Sequence, residues 1–205
     1  MTFRCFGTGD PLYEAYHDTE WGVPPEASAD ERELFERVSL EAFQSGLAWI
    51  TILRKRAAFR AAFAGFDPTR VADFDEGDVQ RLMGDVGIVR NRAKIEATIA
   101  NARALLALHD VDLRLGDIFE SHRPTARAVR AESFAEVPAS TAESIALAKQ
   151  LKKSGFRFVG PTTAYAAMQA LGGYRSGKLL FLGLGTGLGT TLIVDGVVVP
   201  MELAH

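Results

Sequence analysis

Apolar residues recur at helical spacing from Asp30 to about Gly172, and nothing in that span alternates with the period of two that marks a half-buried strand. Leu34, Val38, Glu41 and Ser45 share one predicted face, with Leu40, Phe43 and Leu47 beside it. Ala48 to Phe63 is rich in good helix formers, and Asp67-Pro68 then offers an N-cap followed by a first-turn proline. A short helix is expected from Asp78 to Asp85. Gly87 turns the chain into a longer one, along which Ile88, Ile95, Ile99, Ala102 and Leu106 recur. Ser140-Thr141-Ala142-Glu143 reads as a capping box opening a helix that Gly155 ends, and Pro161 starts another that stops at Gly172-Gly173. The pattern predicts an all-α domain.

The two ends differ from this body. The stretch up to about Pro25 is dense in aromatics, histidine and glycine without a clean period, so it reads as loop or short irregular helix. After Gly173, Leu179 to Leu182, Thr190 to Val194 and Val197 to Val199 read as short strands around a glycine loop and an Asp195-Gly196 turn. Eight of the 19 glycines fall between Gly172 and Gly196, which marks a boundary between a domain of residues 1–172 and a β-hairpin-like tail of residues 173–205.

Composition adds limits. With 47% hydrophobic and 24% charged residues the chain has the make-up of a soluble globular protein. No apolar run reaches the ~20 residues that span a bilayer, and Met1 to Cys5 lacks a signal-peptide core, so a cytoplasmic protein without a membrane partner is expected. The single cysteine, Cys5, excludes an intrachain disulfide. A net charge of −3 is unhelpful for binding nucleic acid, but such binding needs a basic patch on one face rather than a basic total.

Four features carry candidate chemistry. Tyr13, Tyr16 and Trp21, near His17, either form a stacking pocket for a flat ligand or pack the N-terminal segment onto the body. Glu41, with Gln44 and Trp49 close along the chain, is a carboxylate on an apolar face. It marks either a site or an ion pair with Arg37 one turn earlier. Gly87 to Lys94 combines a glycine turn, a helix start and the cations Arg90, Arg92 and Lys94, so it reads as a phosphate cradle or as a solvated turn. Further basic groups stand at Arg54-Lys55-Arg56 and at Lys149, Lys152, Lys153 and Arg157. The glycine run Gly183 to Gly189 lacks the lysine of a P-loop and the helix of a dinucleotide site, which favours a plain hairpin.

Taken in order, four words of the sequence resemble the type I DNA-3-methyladenine glycosylases, a branch of the helix-hairpin-helix glycosylases. They are DPLYEAYHDTEWGVP from Asp10, SLEAFQSGLAWITILRKR from Ser39, GIVRNRAKI from Gly87 and SGFRFVGPTTAYAAMQALG from Ser154. The resemblance implies a base-excision repair enzyme that flips a cationic alkylated adenine out of double-stranded DNA and hydrolyses its glycosidic bond. It implies Glu41 and Tyr16 as the groups holding the base edge, and Tyr13 and Trp49 as the stacking faces, with Trp21 and Gln44 in the same base-binding set. Gly87, Val89, Arg90, Arg92 and Lys94 match the DNA-gripping hairpin, and the family's lack of a catalytic aspartate fits a substrate that is already a good leaving group.

The family also holds a structural zinc, two of whose ligands match Cys5 and His17. The histidine and cysteine that should follow Ala170 to Gly172 are absent, leaving half a site. In their place, about 33 residues from Gly172 resemble a fragment of a glucokinase-type sugar kinase. Their apolar strands would favour association if exposed; otherwise a monomer is expected.

Overall fold

In a computed structural model the described residues are 9–124 and 138–172, together with the backbone of 178–182, 190–194 and 197–199. Up to residue 172 the regular elements are all helical: α1 (Pro11–Thr19), α2 (Arg32–Gln44), α3 (Trp49–Ala62), α4 (Pro68–Ala72), α5 (Glu76–Gly84), α6 (Arg92–His109), α7 (Leu115–Ser121), α8 (Ala142–Lys153) and α9 (Pro161–Ala170). A 3-10 turn at Ala64–Phe66 links α3 to α4. Beyond residue 172, β1 (Lys178–Leu182), β2 (Thr190–Val194) and β3 (Val197–Val199) pair antiparallel in that order. The glycine run 183–189 and the turn at 195–196 lie outside the described residues.

The central element is α2. The sequence predicts one buried face, yet every residue from Leu34 to Phe43 is buried, including Glu36, Arg37 and Glu41. Such a helix is covered on all sides, by α3, α6, α9 and the segment that follows α1. Phe43 meets Phe59 of α3 with ring centroids 4.6 Å apart, and Phe63, Phe66 and Phe35 extend the aromatic core. Burying each of these rings contributes about 1.5–3 kcal/mol. Ser45, placed on the apolar face by spacing, is instead the exposed C-cap of α2.

Local capping explains most element starts and corrects three expectations. The N-terminal stretch is not irregular: Asp10 accepts the N–H groups of Leu12 and Tyr13, Pro11 occupies the first turn, and α1 runs nine residues. Asp75 caps α5, with Asp78 as its reciprocal partner, so that helix begins two residues before the expected Asp78. The box opening α8 pairs Thr141 with Ser144, one residue later than the sequence suggested.

One long-range contact fixes the far side. Glu31, in the left-handed region at φ 50°, accepts from Leu115 N–H at 2.9 Å and Gly116 N–H at 2.7 Å, and lies 2.9 Å from His109 Nε2. The carboxylate thus caps α7, whose own N-cap residue, Arg114, provides no side-chain acceptor. No helix among the described residues is long and apolar enough to cross a membrane.

Candidate functional site: a buried carboxylate among aromatic rings

Three elements bring the predicted pocket residues together. Tyr16 comes from α1, Glu41 from α2 and Trp49 from the first residue of α3. Tyr16 and Trp49 lie with ring centroids 5.3 Å apart and planes tilted by 46°. Tyr16, Trp21, Leu53 and Ala170 form a small buried cluster of their own, against which Tyr13, Trp49 and Ile50 pack. Gln44 is the half-buried last residue of α2, one turn beyond Glu41.

Glu41 is 7% exposed and forms no ion pair with a described residue. Burial pushes its carboxyl up to about 8, and no cation offsets that effect. Tyr16 sits near enough that its hydroxyl is raised well above the usual range, first by burial and then by the charge of Glu41. The alternative pairing with Arg37 does not occur. That guanidinium points the other way, to Glu33, Glu20 and the Val23 carbonyl. The indole Nε1 of Trp49 is buried with no hydrogen-bond partner among the described residues. Trp21 turns its ring onto His17, stacked at 5.8 Å and 17°, so it lines the wall behind Tyr16.

The predicted phosphate cradle is different from its reading. The N–H of Gly87 is taken by Asp85 Oδ1 at 2.7 Å, leaving it unavailable to a phosphate. A glycine is needed there for close packing, because an added Cβ would lie 3.0 Å from that of Ala58 on α3. Val89 packs against the core, and its carbonyl accepts from Asn91, the N-cap of α6. Arg92 is paired with Glu76 and Glu96, 2.8 and 3.0 Å away. Lys94 is turned inward, its Nζ donating to the carbonyls of Phe43 at 2.9 Å and Ser45 at 2.6 Å. Only Arg90 is both exposed and outside any ion pair with a described residue. Arg54, Lys55 and Arg56 are likewise engaged, with Asp10, the Val86 and Gly87 carbonyls, and Glu20 and Glu36.

A second helix–hairpin–helix unit is freer. α8 and α9 pack together across residues 154–160, and α9 opens at Gly160 with no side-chain cap and a proline in its first turn. Lys149, Lys152 and Lys153 share one exposed face of α8, Arg157 and Phe158 are exposed in the hairpin, and none of the four cations pairs with a described residue. Phe158 is held at φ 56°. The sequence offered Lys149, Lys152, Lys153 and Arg157 as a further basic cluster that could extend a DNA-facing surface beside Gly87 to Lys94. Leu47 was read as part of a helix face. It stands 42% exposed in the turn between Glu41 and Trp49.

With that geometry in view, comparison with known proteins is decisive. The family model for methyladenine glycosylases matches residues 6–176. The chain belongs to that family. It is 49% identical over 173 residues to DNA-3-methyladenine glycosylase 1 of Escherichia coli K12, covering 82% of this chain and 90% of that one. Identity to the DNA-3-methyladenine glycosylase of Haemophilus influenzae is 43% over 176 residues, with 84% and 92% covered. A crystal structure of a 3-methyladenine DNA glycosylase I superposes with a TM-score of 0.76 at 49% identity, covering 83% of this chain and 93% of that one.

Of the half zinc site, Cys5 lies outside the described residues. His17 is buried, with Nδ1 2.9 Å from Asp18 Oδ1. Of the other histidines, His109 is engaged by Glu31 and His122 by the Ile118 carbonyl, and no group of three metal-ligating side chains converges among the described residues. These residues do not fit a four-ligand zinc site.

Proposed function

We propose that this glycosylase releases 3-methyladenine from alkylated double-stranded DNA as the first step of base-excision repair. The reading rests chiefly on Glu41: a buried carboxyl, without a counter-ion among the described residues, beside the ring of Tyr16, which in turn lies against Trp49. A carboxyl so placed is uncomfortable when ionised and empty-handed. An adenine methylated at N3 carries a positive charge, which supplies the missing partner and is attracted to aromatic faces as well. Normal adenine offers neither gain. The pocket therefore selects by charge. A tyrosine-to-phenylalanine variant of a related 3-methyladenine DNA glycosylase I, 33% identical with a TM-score of 0.75, has been solved in complex with 3-methyladenine.

In this reading the uncapped start of α9 and the cations Lys149, Lys152, Lys153 and Arg157 hold phosphates. Leu47, exposed in the turn between Glu41 and Trp49, fills the gap in the duplex when the damaged nucleotide rotates out. Glu41 and Tyr16 grip the base edge while Trp49 and Tyr13 cover its faces. The bond from the base nitrogen to C1′ of the sugar breaks, with its electron pair passing to the base, which leaves neutral. Water then adds to C1′ and gives up a proton. Because the leaving group begins as a cation, the protein needs no carboxylate aimed at the sugar. The chain works as a monomer among the DNA of the cytoplasm.

Release of free 3-methyladenine from methylated duplex DNA tests this. The full chain should release the base, and Glu41→Gln should slow release by at least about 100-fold while still binding the duplex. A wild-type chain that binds DNA and releases no base would make this a non-catalytic binding protein.

A further inference from the structure

The zinc-bearing relationship implied by Cys5 and His17 leaves a question that the chain answers elsewhere. The junction between the segment after α1 and the end of α9 is closed by a buried cation. Arg37, its side chain 8% exposed, donates from Nη1 to the Val23 carbonyl at 2.6 Å, with longer contacts of 3.5 Å to the carbonyls of Glu20 and Ala170. Its Nη2 pairs with Glu33, and its Nε lies 3.6 Å from Glu20 Oε1. One guanidinium on the central helix therefore gathers the exit of α1, the loop behind it and the last residue of α9.

Two further contacts close the same seam. The N–H of Gly22 donates to the Ala170 carbonyl at 3.1 Å. Gly172, at φ 70°, lies so close to that loop that an added Cβ would sit 2.5 Å from the Gly22 carbonyl oxygen. Ala170 is also a member of the cluster that holds Tyr16 and Trp21, so displacement of the seam moves the back wall of the base pocket.

We propose that Arg37 is a positioning residue that sets Tyr16 and Trp21 against α9 in this chain, in place of a metal ion. The inference rests on the pocket reading above for its effect on base release, but not for the seam itself. A buried guanidinium is costly unless its donors are met. Here the acceptors of Nη1 and Nη2 come from three separate segments, while Nε makes no hydrogen bond among the described residues, so the cation meets its acceptors only when those segments are assembled, which makes the closure cooperative. A tetrahedral zinc site would need four ligands, and the residues that follow Gly172 include no cysteine.

The test uses the full chain as wild type, Arg37→Met, Arg37→Lys and Gly172→Ala, each with and without a zinc chelator. Two readouts are taken: amide hydrogen exchange, and single-turnover base release alongside affinity for methylated duplex. Arg37→Met should speed exchange at residues 20–24 and 168–172 by at least about tenfold, leaving α6 protected. It should slow base release by a similar factor with duplex affinity within about twofold, because the phosphate grip lies elsewhere. Arg37→Lys, which keeps the charge but loses the fork, should fall between. The chelator should leave wild type unchanged in both readouts. Wild-type exchange and release in Arg37→Met would overturn the proposal, as would a chelator that loosens the wild-type seam. If Arg37→Met does not fold, Gly172→Ala should loosen the same two segments; unchanged exchange there counts against the proposal. A wild type that releases no base would sink the functional reading, while the exchange comparison would still decide the role of Arg37.

Discussion

Arg37 stands one helical turn before Glu41 on α2, and the two do not pair: the guanidinium is spent on Glu33, Glu20 and the Val23 carbonyl. The nearest basic residue along the helix is thereby withdrawn from the carboxyl that a cationic ligand would need. Had Arg37 turned toward Glu41, the pocket would be neutralised before any base arrived.

That separation has a cost in stability with a defined pH dependence. The carboxyl of Glu41 is raised from 4.5 to about 8 on folding. A raised acid favours the folded state fully below its unfolded value, and that contribution is lost as pH climbs through the folded one. Glu41→Gln removes the loss. Its unfolding free energy should match wild type near pH 4 and exceed it at pH 8.5 by an amount on the order of a few kcal/mol, with the thermal midpoint rising accordingly. Equal midpoints at both pH values would show that Glu41 has no shifted titration.

The same titration should appear in catalysis. For a cationic base the ionised carboxylate is the productive partner, so kcat/KM for methylated DNA should rise with pH through a midpoint near 8 and level off above it. Glu41→Gln should flatten that limb. A rise of the same shape in the variant would assign it to another group.

Trp49 separates stacking from hydrogen bonding. Its Nε1 is buried without a partner among the described residues, and such a donor costs about 1–3 kcal/mol. Trp49→Phe should therefore fold at least as stably as wild type and keep base release within a few-fold, whereas Trp49→Leu should lose release by about tenfold or more. If Phe is as damaging as Leu, the indole N–H carries a role that stacking does not.

The basic residues divide into two kinds, and salt distinguishes them. Replacing Lys152 and Lys153 by alanine should weaken duplex binding and lower the slope of log affinity on log salt by about two. Lys94→Met should leave that slope unchanged and destabilise the fold by about 1–3 kcal/mol, since the Phe43 and Ser45 carbonyls lose their donor. Reversed outcomes would return the DNA grip to Gly87–Lys94.

The helical body and the pocket trio were legible in the sequence for different reasons. Periodicity placed the helices between Asp30 and Gly172, because burial of an apolar face leaves a 3.6-residue signature. Tyr16, Glu41 and Trp49 were assigned through family resemblance. Spacing alone left Glu41 even between a site and an ion pair, since it does not report where a flexible guanidinium goes. α1 was left open between a loop and a short irregular helix although Asp10-Pro11 repeats the signal used at Asp67-Pro68; its many aromatics obscured the period. The partners of Lys94 and Arg92 within the fold were not legible, for a shared reason. A cation near a glycine turn looks solvated in one dimension, and only the tertiary fold shows that the end of α2 or the acids Glu76 and Glu96 lie within reach.

The close approach of Gly172 to the Gly22 carbonyl has a meaning for how such a sequence could be rebuilt by recombination. A splice that replaced Gly172 with any residue bearing a side chain would wedge open the wall behind Tyr16. Any recombination at this end of α9 therefore has to keep a glycine at position 172.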